Sequence, residues 1–246
     1  MLYQSEMETE QRMREVQEAV MQGYMRPTRH QVDKTGVAYI GQGNVLRYIS
    51  PEARQETLEL LNSQLFVELV EKKLFPSTRI VEESSDKLVL QHDKAAFVIY
   101  PGEWSFSMLK KAVLTLLYIA ELCGRHGWYL QDGHLWNMVF FGGSPMLVDF
   151  GSLKKGEQST TQTFYWQALV YAFLPLLLWS EGDFYLANRL LTDTYPRRLQ
   201  PFPSIGNTPI YQNRLKMFRR RRGLPYWSKL ACNLCMLPFP PLRKYQ

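Results

Sequence analysis

Residues 130–151, LQDGHLWNMVFFGGSPMLVDFG, constrain this chain more than any other stretch. A polar cluster, Asp132, His134 and Asn137, is followed by Asp149-Phe150-Gly151, with Asn137 twelve residues ahead of Asp149. The segment between them is apolar and turns on Gly142-Gly143, which predicts a hairpin over 138–141 and 146–148. A hydrophobic core has no use for two carboxylates and an amide at fixed offsets. A metal and phosphate site does, because Mg²⁺ takes few protein carboxylates and completes its shell with phosphate and water.

The chain around this stretch changes character near residue 100. Residues 35–50, TGVAYIGQGNVLRYIS, read as two short strands around a Gly41-Gln42-Gly43 turn. Ser50-Pro51-Glu52 then opens a helix, with Ser as N-cap and Pro at the first helical position. Leu58, Leu61, Leu65, Leu69 and a last-turn Lys72-Lys73 carry it to about residue 74. Strands are predicted over 79–83 and 87–91, and a third over the apolar run 95–100, AAFVIY, stopping at Pro101-Gly102. Apolar residues at 109, 113, 116, 117 and 120 predict a helix over 107–123, ended by Gly124 and Gly127. Further helices are expected over 163–179 and 184–191.

Composition enters where it excludes classes. With 46% hydrophobic residues in 246, the chain can form one large domain or two lobes, and it is not a disordered polymer. Three Cys provide no disulfide framework, which points to a reducing, cytoplasmic setting. Cys123 and His126 with Cys232 and Cys235 could compose a Cys₃His zinc site, but buried apolar thiols are the preferred reading. The first 25 residues lack an apolar run, so no signal peptide is read there. Met13, Val16, Val20 and Tyr24 instead mark one face of an amphipathic helix. The most apolar run, 168–179, is too short to span a bilayer and carries Pro175; it reads as a buried helix. The net charge of +6, concentrated near the C-terminus, favours anionic partners.

Asp132 and Asn137 stand five apart, as in the D-x-x-x-x-N catalytic loop of protein kinases and aminoglycoside phosphotransferases, and Asp149-Phe150-Gly151 supplies the D-F-G. Residues 100–153, from YPGEWSFSMLKKA through LVDFGSL, more closely resemble the kinase-like segment of bacterial proteins classed as class I SAM-dependent methyltransferases. Those proteins often read YP-x-EWSFSQLK, LKDA-x-x-x-N and a VFID-type strand. Residues 45–70 resemble them more loosely. No glycine-rich methyltransferase turn follows residue 155, so a stand-alone kinase-like unit is expected.

The resemblance implies an α+β, bilobal, protein-kinase-like fold, with a small β-rich N-lobe holding one long helix and a helical C-lobe. It implies ATP and Mg²⁺ as cofactors and a role for each matching residue. Asp132 would orient or deprotonate the acceptor hydroxyl, and Asn137 and Asp149 would hold metal. Gly41 and Gly43 would lie over the phosphates, although the third glycine of the kinase pattern is missing. Arg47 stands where a kinase has its strand Lys, paired with either Glu59 or Glu68 from the helix, or else is an exposed strand residue. Val98, Ile99 and Tyr100 fall where the hinge reads adenine.

After Gly151 the chain offers only SLKKGEQSTTQT before the next helix, and no A-P-E motif. A small-molecule or glycan hydroxyl acceptor is therefore expected in place of a protein. Lys154 and Lys155 would either hold an anionic acceptor or belong to a solvated loop. The 216–246 tail combines four consecutive Arg with aromatic residues. It reads as a solvated basic helix and Pro-rich strap, or as a contact with an anionic membrane surface that would make the protein peripheral at the inner face of the membrane. No nucleic-acid motif accompanies it. Four segments follow: a lead-in with its helix (1–34), an N-lobe (35–100), a C-lobe (101–215) and the tail (216–246). The expected function is an ATP- and Mg²⁺-dependent phosphotransferase, with a link to cell-envelope polysaccharide. The alternatives are a pseudokinase that senses nucleotide or scaffolds a partner, and a kinase-like fold that transfers another group.

Overall fold

Alternating apolar residues in the first hundred positions draw four strands into one antiparallel sheet: β1 (Gly36–Ile40), β2 (Asn44–Ile49), β3 (Thr78–Glu83) and β4 (Leu88–Asp93), in the order β1-β2-β4-β3. This computed structural model describes residues 35–156, 164 and 167–192. The helix expected around Met13 and Tyr24, the 216–246 tail, and Cys232 and Cys235 lie outside them. The described residues form two compact units, 35–97 with 140–155, and 98–139 with 156, 164 and 167–192.

In the first unit the pairing register decides which side chains share a face. Arg47 lies opposite Leu90 and Val45 opposite His92, while Tyr48 lies opposite Val89. Because side chains alternate along a strand, Val45, Arg47, Leu90 and His92 share one face. Leu46, Tyr48 and Val89 share the other, where they pack with Tyr39. Tyr39 and Tyr48 meet edge to face at 5.3 Å, the arrangement that the ring quadrupole favours.

The single long helix expected after Ser50 is two helices. A 3₁₀ turn, Pro51–Ala53, leads into α1 (Arg54–Leu61), and α2 (Gln64–Glu71) follows a break at Asn62-Ser63. Both break residues bind backbone locally: Asn62 Nδ2 donates to Leu58 O at 2.9 Å, and Ser63 Oγ accepts from the Phe66 N–H at 3.2 Å as a new N-cap. Such side chains offer the backbone an alternative to the helical ladder. The C-terminus of α2 closes through Lys73 at φ 54, with Leu74 N–H donating to Leu69 O at 2.8 Å and Lys73 N–H to Val70 O at 3.0 Å. The hairpin β5 (Met138–Phe141) and β6 (Ser144–Leu147) turns on Gly142-Gly143, both at positive φ. Leu147 N–H then ties β6 to the end of α2 through Leu74 O, at 2.8 Å.

Residues 95–100 are not the expected third strand. Central β4 already has β2 and β3 on its two edges, so an apolar run leaving β4 cannot pair back onto it. Phe97 is accordingly 72% exposed.

In the second unit α3 (Phe106–Arg125) starts at Ser105, whose side chain accepts the Met108 N–H, and buries Leu109, Val113, Leu116, Leu117 and Ala120. It runs through Gly124, contrary to expectation, and the chain turns at Gly127 (φ 71). The helix expected over 163–179 departs from α-helical geometry before Pro175. A π-helical turn, Leu169–Phe173, precedes α4 (Leu174–Ser180), which accommodates a residue that lacks an N–H and whose ring crowds the preceding turn. Helix α5 (Phe184–Thr192) packs on α4 and on the 3₁₀ turn Pro101–Glu103, where Asn188 Nδ2 donates to Gly102 O at 2.7 Å. The class is α+β, as expected: a small sheet with helices in one unit, and a mainly helical second unit. No helix among the described residues is long and apolar enough to cross a membrane.

Candidate functional site

The loop carrying Asp132 and Asn137 belongs to the second unit and is held from several sides. Leu135 is buried in a 3₁₀ turn, Leu135–Asn137, which places Asn137 in a buried position at its end. Trp136 is tied by its Nε1–H to Leu191 O at 3.1 Å, and its ring lies 5.5 Å from that of Tyr100. Asp132 is half-buried, and its Oδ1 accepts from Gln167 Nε2 at 3.1 Å. The same Gln167 amide accepts the Gly133 N–H at 2.7 Å. A Cβ on Gly133 would lie 2.5 Å from Phe164 O and 2.9 Å from Ala168 N, so only glycine permits this close approach of loop to helix.

Asp149 belongs to the first unit, where its neighbour Phe150 is the anchor. The Phe150 ring is 2% exposed and lies 5.9 Å from Phe66, 6.0 Å from Phe75 and 6.2 Å from His92. Asp149 caps the 3₁₀ turn Phe150–Ser152. Its Oδ1 accepts the Gly151 N–H at 3.1 Å, and its Oδ2 accepts the Ser152 hydroxyl. A carboxylate has about four lone-pair sites, so one oxygen can in general accept a hydrogen bond and ligate a cation together. The Asp149 carboxylate offers oxygen donors, which suit Mg²⁺ in preference to a thiophilic metal.

Lys154 and Lys155, expected either on an anionic acceptor or in a solvated loop, each pair with a glutamate, and Lys155 stays largely exposed. Lys154 Nζ bonds Glu56 Oε2 and Lys155 Nζ bonds Glu59 Oε2, each at 2.7 Å, which fastens the segment after Gly151 to α1. The bonds from Lys155 and Gln55 hold the Glu59 carboxyl below its usual pKa. Of the two glutamates considered as partners for Arg47, Glu59 is therefore committed elsewhere. Glu68 on α2 reaches Lys72 at 3.6 Å.

Arg47 is 8% exposed, which corrects the reading of it as an exposed strand residue. It shares a sheet face with the buried imidazole of His92. Burial, aided by the Arg47 charge, pushes His92 down to about 3 from 6.5. Thr78 Oγ–H gives its proton to Pro76 O at 3.0 Å, so His92 Nδ1–H is the donor in the 2.7 Å contact to Thr78 Oγ, a neutral tautomer. Above pH 6.5 both folded and unfolded His92 are neutral. As pH falls from 6.5 toward 3, only the unfolded chain takes the proton, so stability is lost across that window by at most about 1.4 kcal/mol per pH unit. Urea titrations at stepped pH check this, and His92→Phe, which keeps the ring stack, is expected to flatten the dependence.

The glycine turn is tight. Gly41 N–H bonds Asn44 O at 2.9 Å, and Lys94 Nζ caps the carbonyls of Gly41 at 2.7 Å and Gln42 at 3.3 Å. Gly43 faces open space. Along the connector, Val98 is 50% and Tyr100 55% exposed, and the Tyr100 N–H is already donated to Glu103 Oε2 at 2.7 Å. Cys123 is fully buried and its thiol is pushed up to about 12, which fits a packed thiol. No group of three or more His, Cys, Asp or Glu residues able to hold a metal occurs among the described residues.

Two residues escaped the sequence reading. Gln167 sits 35 positions from Asp132 in an unremarkable helical segment, with no local signal. Lys94 could have been suspected as a lone cation at the end of a strand that pairs with the glycine hairpin.

No family model matches the chain. The nodulation protein NoeA of Rhizobium meliloti (strain 1021) is 31% identical over 156 residues, which cover 61% of this chain and 33% of that protein. The chain thus spans about a third of the length of the curated relative it matches. Among solved structures, vaccinia related kinase 3 is similar at 13% identity and TM-score 0.46, over 88% of this chain and 83% of that one. WbdD is similar at 14% identity and TM-score 0.39, over 86% and 51%. The kinase domain of M. tuberculosis PknI is similar at 15% identity and TM-score 0.34, over 53% and 59%.

Proposed function

We propose that this chain is an ATP- and Mg²⁺-dependent phosphotransferase acting on a small-molecule or glycan hydroxyl. The observation that carries the reading is the presentation of Asp149: a buried Phe150 locks the turn, and the carboxylate caps that turn through the Gly151 N–H and the Ser152 hydroxyl. Bound Mg²⁺ supplies charge neutralisation on the phosphate groups. Asn137 and Asp149 are the residues to hold it. Asp132 accepts the proton of the acceptor hydroxyl as that oxygen bonds the γ-phosphorus; the bond from phosphorus to the bridging oxygen breaks, and ADP leaves with the electron pair. Arg47, with Glu68 as the helix carboxylate, neutralises phosphate charge. The turn at Gly41 and Gly43 covers the phosphates, and Val98 and Tyr100 flank the base. The glycan acceptor and its place in envelope polysaccharide rest on the resemblance of residues 100–153.

A second reading, a pseudokinase that senses nucleotide or scaffolds a partner, draws on one bond. Glu103 occupies the Tyr100 N–H that a base would use. Calorimetry of ATP with and without Mg²⁺ separates the two. The phosphotransferase reading expects binding that requires Mg²⁺ and weakens at least about tenfold in Asp149→Ala, a loss of about 1.4 kcal/mol or more. Absence of binding under every condition supports the second reading in its scaffolding form.

A further inference from the structure

We infer that Gln167 is a positioning residue for Asp132, holding the loop backbone and the carboxylate with the two ends of one amide. The inference rests on the phosphotransferase reading and extends it to a residue outside the D-x-x-x-x-N loop. Gln167 Oε1 accepts the Gly133 N–H at 2.7 Å, and Gln167 Nε2 donates to Asp132 Oδ1 at 3.1 Å. Two adjacent loop residues are thus read by opposite poles of a single planar group, which fixes both the path of the backbone and the rotation of the carboxylate. Phe164 and Ala168 flank Gln167 in sequence, and their backbone atoms are the ones a Gly133 side chain would strike. The absence of that side chain is what lets the amide reach.

The chemistry of the contact matters as much as its geometry. A Lys or Arg at this position would hold Asp132 through charge and weaken it as a base. A neutral amide orients the carboxylate with no added charge. Among the described residues Oδ1 carries the Gln167 bond and Oδ2 accepts none, so Oδ2 is the oxygen directed at the acceptor proton. An orienting hydrogen bond on the base is the recurring third part of nucleophile–base constellations.

Gln167→Glu separates the two halves of the amide. It keeps an acceptor for the Gly133 N–H and places a carboxylate where Asp132 had a donor. On the full chain, hydrolysis of MgATP with water as acceptor is expected to slow at least about tenfold in Gln167→Glu, within the 10²–10⁴ that a positioned base supplies. Its MgATP affinity should stay within about twofold of wild type, and amide exchange at Gly133 should be unchanged. Gln167→Met, similar in shape and uncharged, should also slow turnover while speeding that exchange, and it serves if the glutamate variant fails to fold. Wild-type turnover in either folded variant overturns the inference alone. A wild-type protein that binds no MgATP, or binds it without turnover, overturns the phosphotransferase reading and this role with it.

Discussion

Phe150→Ala is expected to lower stability by about 3–5 kcal/mol, read as a shift of the urea midpoint at unchanged slope. The magnitude follows from position: the ring is almost fully buried and meets Phe66, Phe75 and His92, all within the first unit. These three neighbours come from α2, the segment after it and β4, so they cannot collapse together into the cavity without moving the sheet. Phe150→Leu should recover more than half of the loss, because most of the buried volume returns. Asp149 stands one residue before the anchor, and its cap on Gly151 and Ser152 depends on the same turn. Loss of Mg²⁺-dependent ATP binding is therefore expected in the alanine variant even at temperatures where it remains folded. A change below about 1 kcal/mol would show that Phe150 does not anchor the turn.

Gly133→Ala is the second large effect. The added methyl would sit 2.5 Å from Phe164 O and 2.9 Å from Ala168 N, and both are backbone atoms with no rotamer to yield. Overpacking of this kind costs about 1–3 kcal/mol. The cost should come with a functional one, since relief requires the loop to retreat from Gln167 and release Asp132. Gly124→Ala is the matched control. Its Cβ would meet nothing within 4 Å, and its place inside α3 predicts a gain of roughly 0.5–1 kcal/mol. Thermal melts of the two variants should move in opposite directions. A Gly133→Ala protein as stable as wild type would mean that the loop does not pack as closely as the contacts indicate.

Much of this architecture was legible from local pattern. Glycine turns with flanking β-branched and aromatic residues marked β1, β2 and the β5–β6 hairpin, and a 3.6-residue stripe marked α3. The errors arise where a local pattern meets something it does not encode. The run 95–100 has strand composition, but the strand it leaves already has a neighbour on each side, and a strand without a partner is not a strand. The α1–α2 break was written in Asn62-Ser63, yet the leucine stripe runs across it, and periodicity cannot see a competing side-chain cap.

For the candidate site, the sequence alone determined residue type and spacing: an aspartate and an asparagine five apart, and a second aspartate ahead of Phe-Gly. Those are chemical requirements, and the chain states them directly. Tertiary structure alone decided what holds each group. It buried Arg47 on the sheet face of His92, committed Lys154 and Lys155 to α1, capped the glycine turn with Lys94 and brought Gln167 to Asp132 across 35 residues. Long side chains of Lys, Arg and Gln carry no pattern that names their partner. Where they bond depends on which strands and helices come within reach once the core has packed.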